Sequence, residues 1–255
     1  MILRGLAALA LVGGYFLITD LVQRTVIAAR IRWRPTSRER VLSAWVKWVS
    51  RTTSAIIERI GGTRMSAPVI PLEPGVLVLM NHQSLLDILV IFKMFGGDYP
   101  RIITRRRYRT GIPLVSYMLR LYDHPIVDPG LGRREQFLAL RELAVTSTRP
   151  IVIFAEGARA KDGAMQSFVT GGLKILLSAR AWSVYGVVLD GLWRSGRLGD
   201  YVRNAASTKA SAESLGPFAF DHERDDADAF ITSIHQQMQD KLQAMRDSPS
   251  AAKPT

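Results

Sequence analysis

The feature that most constrains the fold is a short apolar run that ends in a polar turn and is followed by a second apolar segment. The run Val76–Met80 follows Pro74-Gly75, and its length and flanking residues predict a buried strand. The pattern from Leu85 to Phe92 predicts a helix. Between them lies His82, where open α/β sheets place their chemistry. Histidine is well suited to proton abstraction near neutral pH, so His82 is the first candidate functional residue.

Asp87 follows His82 by five residues, which turn by about 500° along a regular helix, so the two do not share a helix face. They meet only if His82 lies in the turn before the helix and Asp87 in its first turn. Ser84 suits this arrangement as the helix N-cap, with Asp87 three residues later. The same residues also form an ordinary capping box, in which Asp87 would only satisfy backbone donors. From these residues alone, the catalytic pair and the cap are about equally favoured.

A second strand-like run, residues 150–154, opens into a loop that carries Glu156, Gly157 and Arg159. A glycine lets the backbone approach a ligand, and an arginine at the end of a strand can bind phosphate through its planar fork. The alternative is a tight turn with an exposed Arg–Glu pair. Taken alone, the segment favours that alternative.

Together the two segments resemble the 1-acylglycerol-3-phosphate acyltransferase family, whose signatures are N-H-x-x-x-x-D and, further along the chain, F-P-E-G-T-R. In this chain they read NHQSLLD at residues 81–87 and FAEGAR at residues 154–159. Residues 105–113 resemble the family's lysine-rich stretch, residues 125–128 its F-I-D-R block, and residues 167–172 its F-K-x-G motif.

The chain departs from the family pattern at several positions within the resemblance, which spans about residues 76–190. Ala155 and Ala158 replace Pro and Thr, Pro129 replaces the Arg of F-I-D-R, and residues 184–188 lack the usual Pro. The motif residues that carry the family's reaction are all kept. The departures therefore bear on the acceptor lipid more than on the reaction.

The resemblance implies transfer of a fatty acyl group from an acyl thioester, either acyl-CoA or acyl carrier protein, to the free hydroxyl of 1-acylglycerol-3-phosphate. His82 would be the general base, and Asp87 would fix its tautomer and orientation. The acceptor phosphate would lie in the second motif, with Glu156 helping to orient Arg159. The implied substrate-binding residues are Glu156, Gly157, Arg159, Arg105, Arg106 and Arg107.

Composition excludes several other chemistries. The 255 residues include no cysteine, which rules out disulfides, thiolate zinc sites and a cysteine nucleophile. The G-x-S-x-G pattern of a serine nucleophile elbow is missing. The four histidines show no metal-ligand spacing. We therefore expect neither a metal ion nor a cofactor.

The formal net charge of +12 is concentrated in two segments. Residues 24–51 hold eight Lys or Arg and one Glu, a local charge of +7, and residues 101–109 hold five arginines and no acid. Nucleic acid would be one partner for such patches. Because the first patch directly follows an apolar segment, the pattern instead favours an anionic membrane surface, and no nucleic acid is expected.

The apolar segment Gly5–Thr19 is uncharged. As a helix it would measure about 22 Å, short of the roughly 30 Å of hydrocarbon in a bilayer. No convincing cleavage site follows it, so an uncleaved anchor is favoured over a signal peptide. Whether it spans the bilayer or lies in one leaflet is open. The arginines after it predict that the chain lies on the cytoplasmic face of the membrane.

The order of strands and helices predicts an α/β domain with a mixed, largely parallel sheet flanked by helices. Residues 38–60 predict a basic amphipathic helix with two tryptophans, for which a membrane interface is slightly favoured over core packing. Further predictions are helices at 133–146, 173–180 and 229–246 and a strand at 184–189. The predicted division is a membrane anchor (1–23), a basic amphipathic segment (24–64), an acyltransferase domain (65–246) and a disordered tail (247–255).

Two alternative functions stay open. One is the same chemistry on another acceptor, such as a lyso-ornithine lipid, a lysophosphatidylcholine or glycerol 3-phosphate. The other is a non-catalytic basic protein of the membrane surface or of nucleic acid, in which charge rather than His82 carries the function. No DNA- or RNA-binding motif is found in the sequence, and the His82/Asp87 pair is intact, so the enzyme is favoured.

Overall fold

A computed structural model describes residues 2–127 and 132–247 of the chain. In that part the strands are β1 (Arg64–Met65), β2 (Val76–Met80), β3 (Arg101–Ile102), β4 (Thr104–Arg105), β5 (Ile126–Val127), β6 (Ile151–Phe154), β7 (Trp182–Asp190) and β8 (Lys209–Phe220). Six of them form one sheet in the order β1-β8-β7-β2-β6-β3, while β4 and β5 pair separately. Within the six-stranded sheet, only the pairing of β7 with β8 is antiparallel. The predicted mixed, largely parallel sheet is confirmed.

Helices cover both faces of this sheet. They are α1 (Ile2–Val22), α2 (Ala28–Trp33), α3 (Arg38–Ala55), α4 (Asp87–Met94), α5 (Val115–Leu121), α6 (Arg133–Thr146), α7 (Thr170–Leu177), α8 (Leu198–Asn204) and α9 (Ala227–Asp247). The alternating residues of β2 enter different clusters, Val78 with α4 and α8 on one face and Leu77 with α6, α7 and α9 on the other. Because both faces are buried, the strand reads as a continuous apolar run.

The register of the parallel strands brings the two sequence motifs together. Met80 at the end of β2 pairs with Phe154 at the end of β6 on one side and with Val187 of β7 on the other. The carboxyl ends of parallel strands meet at one edge of a sheet, where ligands bind in open α/β folds. The turn after β2 and the loop after β6 are therefore neighbours.

The N-terminal helix α1 packs one side against the rest of the protein. Gly5 lies so close to α8 that a Cβ atom there would be 2.4 Å from the carbonyl oxygen of Val202. Ala8 and Thr19 are also buried. The opposite side is open, with Leu17 62% and Leu21 64% exposed. The helix is thus apolar on both sides but buried on only one.

The helix continues beyond α1 through a π-helical turn, Gln23–Ile27, into α2. The whole stretch Ile2–Trp33 is long and apolar enough to cross a membrane by length and composition, and only 17% of its most apolar window is buried. At the turn, the buried Gln23 donates to the carbonyl oxygen of Leu114 over 2.6 Å. The predicted boundary at residue 23 therefore falls inside one continuous helix. The contact of Gln23 joins the π-helical turn of this helix to the rest of the protein.

Helix α3 uses one face for core packing. Leu42 and Val46 are buried beside Tyr99 and Tyr122, while Trp48 keeps half of its surface exposed. The predicted helix over 38–60 is present as α3 followed by a π-helical turn, Ile56–Gly61. The core-packing alternative therefore holds for the face that carries Leu42, Trp45 and Val46, and contact of the exposed Trp48 with a membrane stays a prediction.

Most other predicted elements lie close to their expected bounds. Helices α6, α7 and α9 and strand β7 overlap the predicted segments, although α7 ends at Leu177 rather than residue 180. The long strand β8 was missed, because its burial alternates along the chain with few large apolar residues. The F-I-D-R-like residue Asp128 and the departure Pro129 lie outside the described residues, as does the predicted tail 247–255 except for Asp247, which ends α9.

Candidate active site

The turn between β2 and α4 brings His82 and Asp87 into direct contact. Nδ1 of His82 lies 2.7 Å from Oδ2 of Asp87. The His82 side chain keeps 16% of its surface exposed, whereas the Asp87 side chain is completely buried. The pair has the geometry in which a carboxylate fixes the tautomer and direction of an imidazole. His82 thus lies before the helix and Asp87 is its first residue, as their spacing requires.

Asp87 also serves the backbone of the turn. Its Oδ2 accepts N–H groups from Gln83 at 2.6 Å and from Ser84 at 2.9 Å. Helix α4 begins at Asp87 with Leu86 at the N-cap, so the predicted N-cap at Ser84 is wrong. Residues 85 and 86 form a turn instead, while the Ser84 hydroxyl donates to the carbonyl oxygen of Ser195. The Asp87 carboxylate therefore both contacts His82 and accepts the backbone N–H groups of the turn.

The two amide side chains of the motif fasten the turn to the end of β7. The Asn81 amide donates to the carbonyl oxygen of Leu189 over 2.8 Å and accepts its N–H over 2.7 Å. The Gln83 amide donates to the same oxygen and accepts N–H groups from Leu192 and Trp193. Both amides are buried, so an unpaired group there would cost about 1–3 kcal/mol. Sequence reasoning gave these residues no role, although polar amides directly after a buried strand were the available signal.

The imidazole of His82 is held flat against an aromatic ring of the neighbouring strand. Its centroid lies 3.8 Å from that of Phe154, with 18° between the planes. Among residues 2–127 and 132–247, no hydrogen-bond partner is found for Nε2, the ring nitrogen opposite Asp87. A tautomer with the proton on Nδ1 leaves Nε2 able to accept a proton from a substrate hydroxyl.

Glu156 contacts backbone groups in the structure, and its predicted role in substrate binding stays a prediction. Its Oε1 accepts the N–H of His82 and its Oε2 the N–H of Gln166, both over 2.8 Å. Within the described chain no ion pair joins it to Arg159, so neither the predicted orientation of that arginine nor the alternative surface pair is found. Burial raises the pKa of Glu156, and the nearby Asp87 carboxylate adds to this against the effect of the two N–H groups. Glu156 binds backbone instead.

Gly157 and Arg159 continue the loop after β6. Gly157 has a φ of 65°, and a Cβ atom there would lie 3.1 Å from Cγ2 of Val169. Both facts favour glycine at this position. Nη1 of Arg159 donates to the carbonyl oxygen of Gly196 over 2.6 Å. The contact holds the guanidinium beside the loop that follows β7.

The three consecutive arginines at residues 105–107 lie in two different environments. Arg105 donates through Nη2 to the carbonyl oxygen of Gly157, which brings it to the second motif. Arg106 and Arg107 are exposed in the 3-10 turn that follows β4. The Arg107 guanidinium lies 4.8 Å from the centre of the Tyr108 ring and donates to its hydroxyl. The contact with Gly157 therefore places Arg105 at the site more directly than either neighbour.

Metal ligation finds no support in the described residues. Over 2–127 and 132–247, no group of three or more His, Asp or Glu side chains is arranged to hold a metal ion. His124 is buried instead between aromatic rings and accepts the backbone N–H of Ile102. Burial, the largest cause, lowers the pKa of His124 to about 3, and the Arg101 charge adds to the effect.

Comparison with known proteins gives one family and one fold. The family model described as Acyltransferase matches residues 62–190, about half of the chain. A probable 1-acyl-sn-glycerol-3-phosphate acyltransferase of Mycoplasma genitalium is 28% identical over 114 residues, 44% of this chain and 42% of that protein. A 1-acyl-sn-glycerol-3-phosphate acyltransferase of Chlamydomonas reinhardtii is 23% identical over 164 residues, 64% of this chain and 47% of that protein. The chain therefore spans less than half the length of these curated relatives.

The crystal structure of the 1-acyl-sn-glycerophosphate (LPA) acyltransferase PlsC from Thermotoga maritima has the same fold. Its TM-score is 0.67 at 20% identity, over 96% of this chain and 98% of that one. The His82–Asp87 pair at the carboxyl edge of a largely parallel sheet lies within the region that the family model matches. The chain belongs to the acyltransferase family.

Proposed function

We propose that the protein is an O-acyltransferase that moves a fatty acyl group from an acyl thioester to the free hydroxyl of 1-acylglycerol-3-phosphate, giving phosphatidic acid. The thioester is acyl-CoA or acyl carrier protein. The observation that carries the proposal is the contact between His82 Nδ1 and Asp87 Oδ2 at the carboxyl edge of the sheet. The choice of acceptor is supported by the activity for which the two relatives are named.

The reaction needs one base and one positioned acceptor. Nε2 of His82 takes the hydroxyl proton as the oxygen attacks the thioester carbonyl, and the tetrahedral intermediate then expels the thiolate. The imidazolium then gives its proton to the departing thiolate, which leaves as the free thiol. Asp87 holds the ring and stabilises its charged form, and Glu156 fixes the backbone from which the ring projects. The sequence of steps needs no covalent enzyme intermediate and no metal ion.

The acceptor's phosphate is assigned to the loop after β6. Arg159 commits Nη1 to the protein, and the rest of its guanidinium can serve a ligand. Gly157 allows close approach of the backbone, and Arg105 reaches the same residue from the neighbouring segment. An arginine fork matches phosphate geometry better than a lysine does. Arg106 and Arg107 remain weaker candidates for the same phosphate.

Attachment to the membrane is assigned to α1 and α2 with the arginines that follow them. One side of α1 is buried against α8 and its other side is open and apolar, so lipid cannot surround it. We therefore favour α1 lying in one leaflet beside the domain over a helix that spans the bilayer. The +7 segment would then meet anionic headgroups on the cytoplasmic face.

A panel of lyso-lipid acceptors tests the function. Purified full-length protein is incubated with one acyl-CoA and, in turn, 1-acylglycerol-3-phosphate, lysophosphatidylcholine, lyso-ornithine lipid and glycerol 3-phosphate. Thiol release is measured with the acylated product, and His82→Ala serves as the control for uncatalysed acylation. The highest kcat/KM is expected with 1-acylglycerol-3-phosphate. If another acceptor is preferred, that lipid replaces 1-acylglycerol-3-phosphate as the proposed substrate. If no acceptor is acylated, the alternative of a non-catalytic basic membrane-surface protein is favoured.

A further inference from the structure

The last turn of the C-terminal helix α9 reaches the candidate active site through Arg246. Its guanidinium binds both carboxylate oxygens of Asp190, through Nε at 3.1 Å and Nη2 at 2.8 Å. The same Nη2 donates to the carbonyl oxygen of Gly163 over 2.8 Å. The family model ends at residue 190, so Arg246 lies outside the region that it matches. One side chain thus joins the end of β7 to the loop after β6.

On one side, Arg246 leads to the turn that carries His82. Asp190 ends β7, and its Oδ1 lies 3.4 Å from Nε2 of Gln83, which directly follows His82. The Gln83 amide is buried, and it also binds the backbone of Leu189 and of the segment after β7. A displacement of Asp190 would therefore alter the position of the Gln83 side chain.

On the other side, Arg246 leads to the loop that carries Arg159. Gly163 lies four residues after Arg159, and its φ is 80°. A Cβ atom at Gly163 would lie 2.6 Å from Cδ1 of Trp193, so the loop packs tightly on the segment after β7. That segment also supplies the Gly196 carbonyl to Arg159. The Gly163 carbonyl is the point at which α9 holds this loop.

We propose that Arg246 is a positioning residue, which fixes the loop of Arg159 relative to the turn of His82. The inference rests on the proposed role of Arg159 as the contact for the acceptor's phosphate. A hydroxyl reacts only when phosphate and base are held at the correct separation, and a displacement of about 1 Å can cost up to roughly 100-fold in rate. The two fastened segments are the ones that set this separation.

The surroundings of Arg246 indicate that its loss is compatible with folding. Helix α9 is anchored by four apolar side chains of its own, which are Ile231, Ile234, Met238 and Leu242. Burial works to raise the pKa of Asp190, but the hydrogen bonds and charge of Arg246, with hydrogen bonds from Gln83 and the Gly191 backbone, together hold that pKa below its usual range. Without Arg246, Asp190 keeps partial contact with solvent, since its side chain is 22% exposed.

The experiment compares substitutions that differ in charge and in geometry. Arg246→Gln removes the charge, and Arg246→Lys keeps the charge but loses the planar fork. Lys241→Gln is the matched control, because Lys241 lies on the same helix, is 30% exposed and pairs only with the carboxylate of Glu213 in the described structure. Each full-length variant is purified, its thermal unfolding is recorded, and kcat and KM are measured per folded molecule with acceptor and donor varied separately.

For Arg246→Gln we expect the acceptor's kcat/KM to fall about 10- to 100-fold, through both kcat and KM, with an unchanged donor KM. Arg246→Lys should recover part of the loss, and Lys241→Gln should match the wild type. Unchanged kinetics per folded molecule in Arg246→Gln would overturn the inference, even if its unfolding temperature falls. If that variant does not fold, wild-type kinetics in Arg246→Lys overturn it instead.

The same data separate this inference from the proposed function. The comparison is made with whichever acceptor the wild-type protein acylates best. A wild type that prefers another lyso-lipid therefore rejects 1-acylglycerol-3-phosphate and leaves the Arg246 comparison intact. A double variant, Asp190→Asn with Arg246→Gln, should be no slower than the slower single variant, because the two residues act through one contact. Fully additive losses would contradict the proposed connection.

Discussion

The turn at residues 81–87 and the N-terminal helix α1 both border on apolar elements, yet they are held in opposite ways. In the turn, polar side chains bind backbone groups of β7 and of the segment after β7, as Asn81 does with both backbone groups of Leu189. In α1, one side packs by shape, with Gly5 against α8, and the other side is open and apolar. The turn is fixed mainly by directional hydrogen bonds, whereas α1 is held mainly by buried apolar area, with Arg4 adding hydrogen bonds to the carbonyl oxygens of Arg59 and Ile60.

The two regions are held differently because their proposed functions differ. Proton transfer requires the base within hydrogen-bond reach of the substrate, and buried hydrogen bonds are directional enough to set such a position. Attachment to a bilayer requires apolar area and charge, which act without a fixed geometry. Single substitutions should therefore act strongly in the turn and weakly on the open side of α1.

The largest effect is expected at the catalytic pair. His82→Ala should lower kcat by about 10²- to 10⁴-fold, because it removes the general base. The ring also stacks on Phe154, a contact worth about 1 kcal/mol, so thermal unfolding must be recorded beside activity. Near-normal acyl transfer by a folded His82→Ala protein would show that the mechanism is wrong.

Asp87→Asn tests the charge of the pair with little change in shape. The amide oxygen can take the place of Oδ2 and keep the N–H groups of Gln83 and Ser84. The amide nitrogen would then replace Oδ1, which is buried and has no partner among the described residues. A severe loss of kcat with a nearly unchanged unfolding temperature is expected. Retained activity would reduce Asp87 to the helix-capping role.

Arg159 should give the next largest effect, and the effect should depend on the substrate. Arg159→Ala should lower kcat/KM for the acceptor about 10- to 100-fold, the worth of a charged hydrogen bond, and leave the donor KM unchanged. Lys161→Ala is a charge-matched control on an exposed position of the same loop. A defect confined to the donor KM would move Arg159 to the thioester site.

Glu156→Gln asks whether this carboxylate fixes the backbone or binds substrate. A glutamine can accept only one of the N–H groups of His82 and Gln166, so one buried donor loses its partner at a cost of about 1–3 kcal/mol. We expect a lower unfolding temperature and a moderate loss of kcat, with neither KM singled out. Glu142→Gln, on the exposed side of α6, is the control. An acceptor-specific KM effect without destabilisation would restore the predicted role in substrate binding.

How far the sequence could predict these features depends on the distance between the residues involved. The His82–Asp87 contact lies within one strand, turn and helix, so local patterns could predict its geometry, although they left the catalytic pair and the helix cap equally favoured. The contacts of Glu156 could not be predicted, because its partners are the backbone N–H groups of His82 and Gln166. Backbone donors leave no mark in a sequence. The bonds from Asn81 to Leu189 depend on the pairing of β2 with β7, which no local pattern specifies. Composition was enough for α1 to be predicted as an apolar helix, but its packing against α8 was not foreseen.

The smallest effect on the chemical step is expected on the open side of α1. Replacing Leu17 and Leu21 with Gln should weaken binding to vesicles, because each side chain loses up to about 2 kcal/mol of apolar burial. Deleting α1 is a poorer test, since it would also expose the partners of Gly5 and Ala8. Activity towards substrates dispersed in detergent should hardly change. Co-sedimentation with anionic vesicles at low and high salt is the measurement, and Leu138→Gln on α6 is the control.

The arginines after α1 complete this test. Gln at Arg30, Arg32 and Arg34, which are exposed, should weaken the preference for anionic lipid without releasing the protein. Two signals acting together usually give stable attachment where one is marginal. The leucine variant should therefore remain bound to anionic vesicles at low salt and be released at high salt, whereas the intact protein should resist salt. Full release of the intact protein by salt alone would show that α1 is no anchor, and the protein would then be held at the membrane by charge.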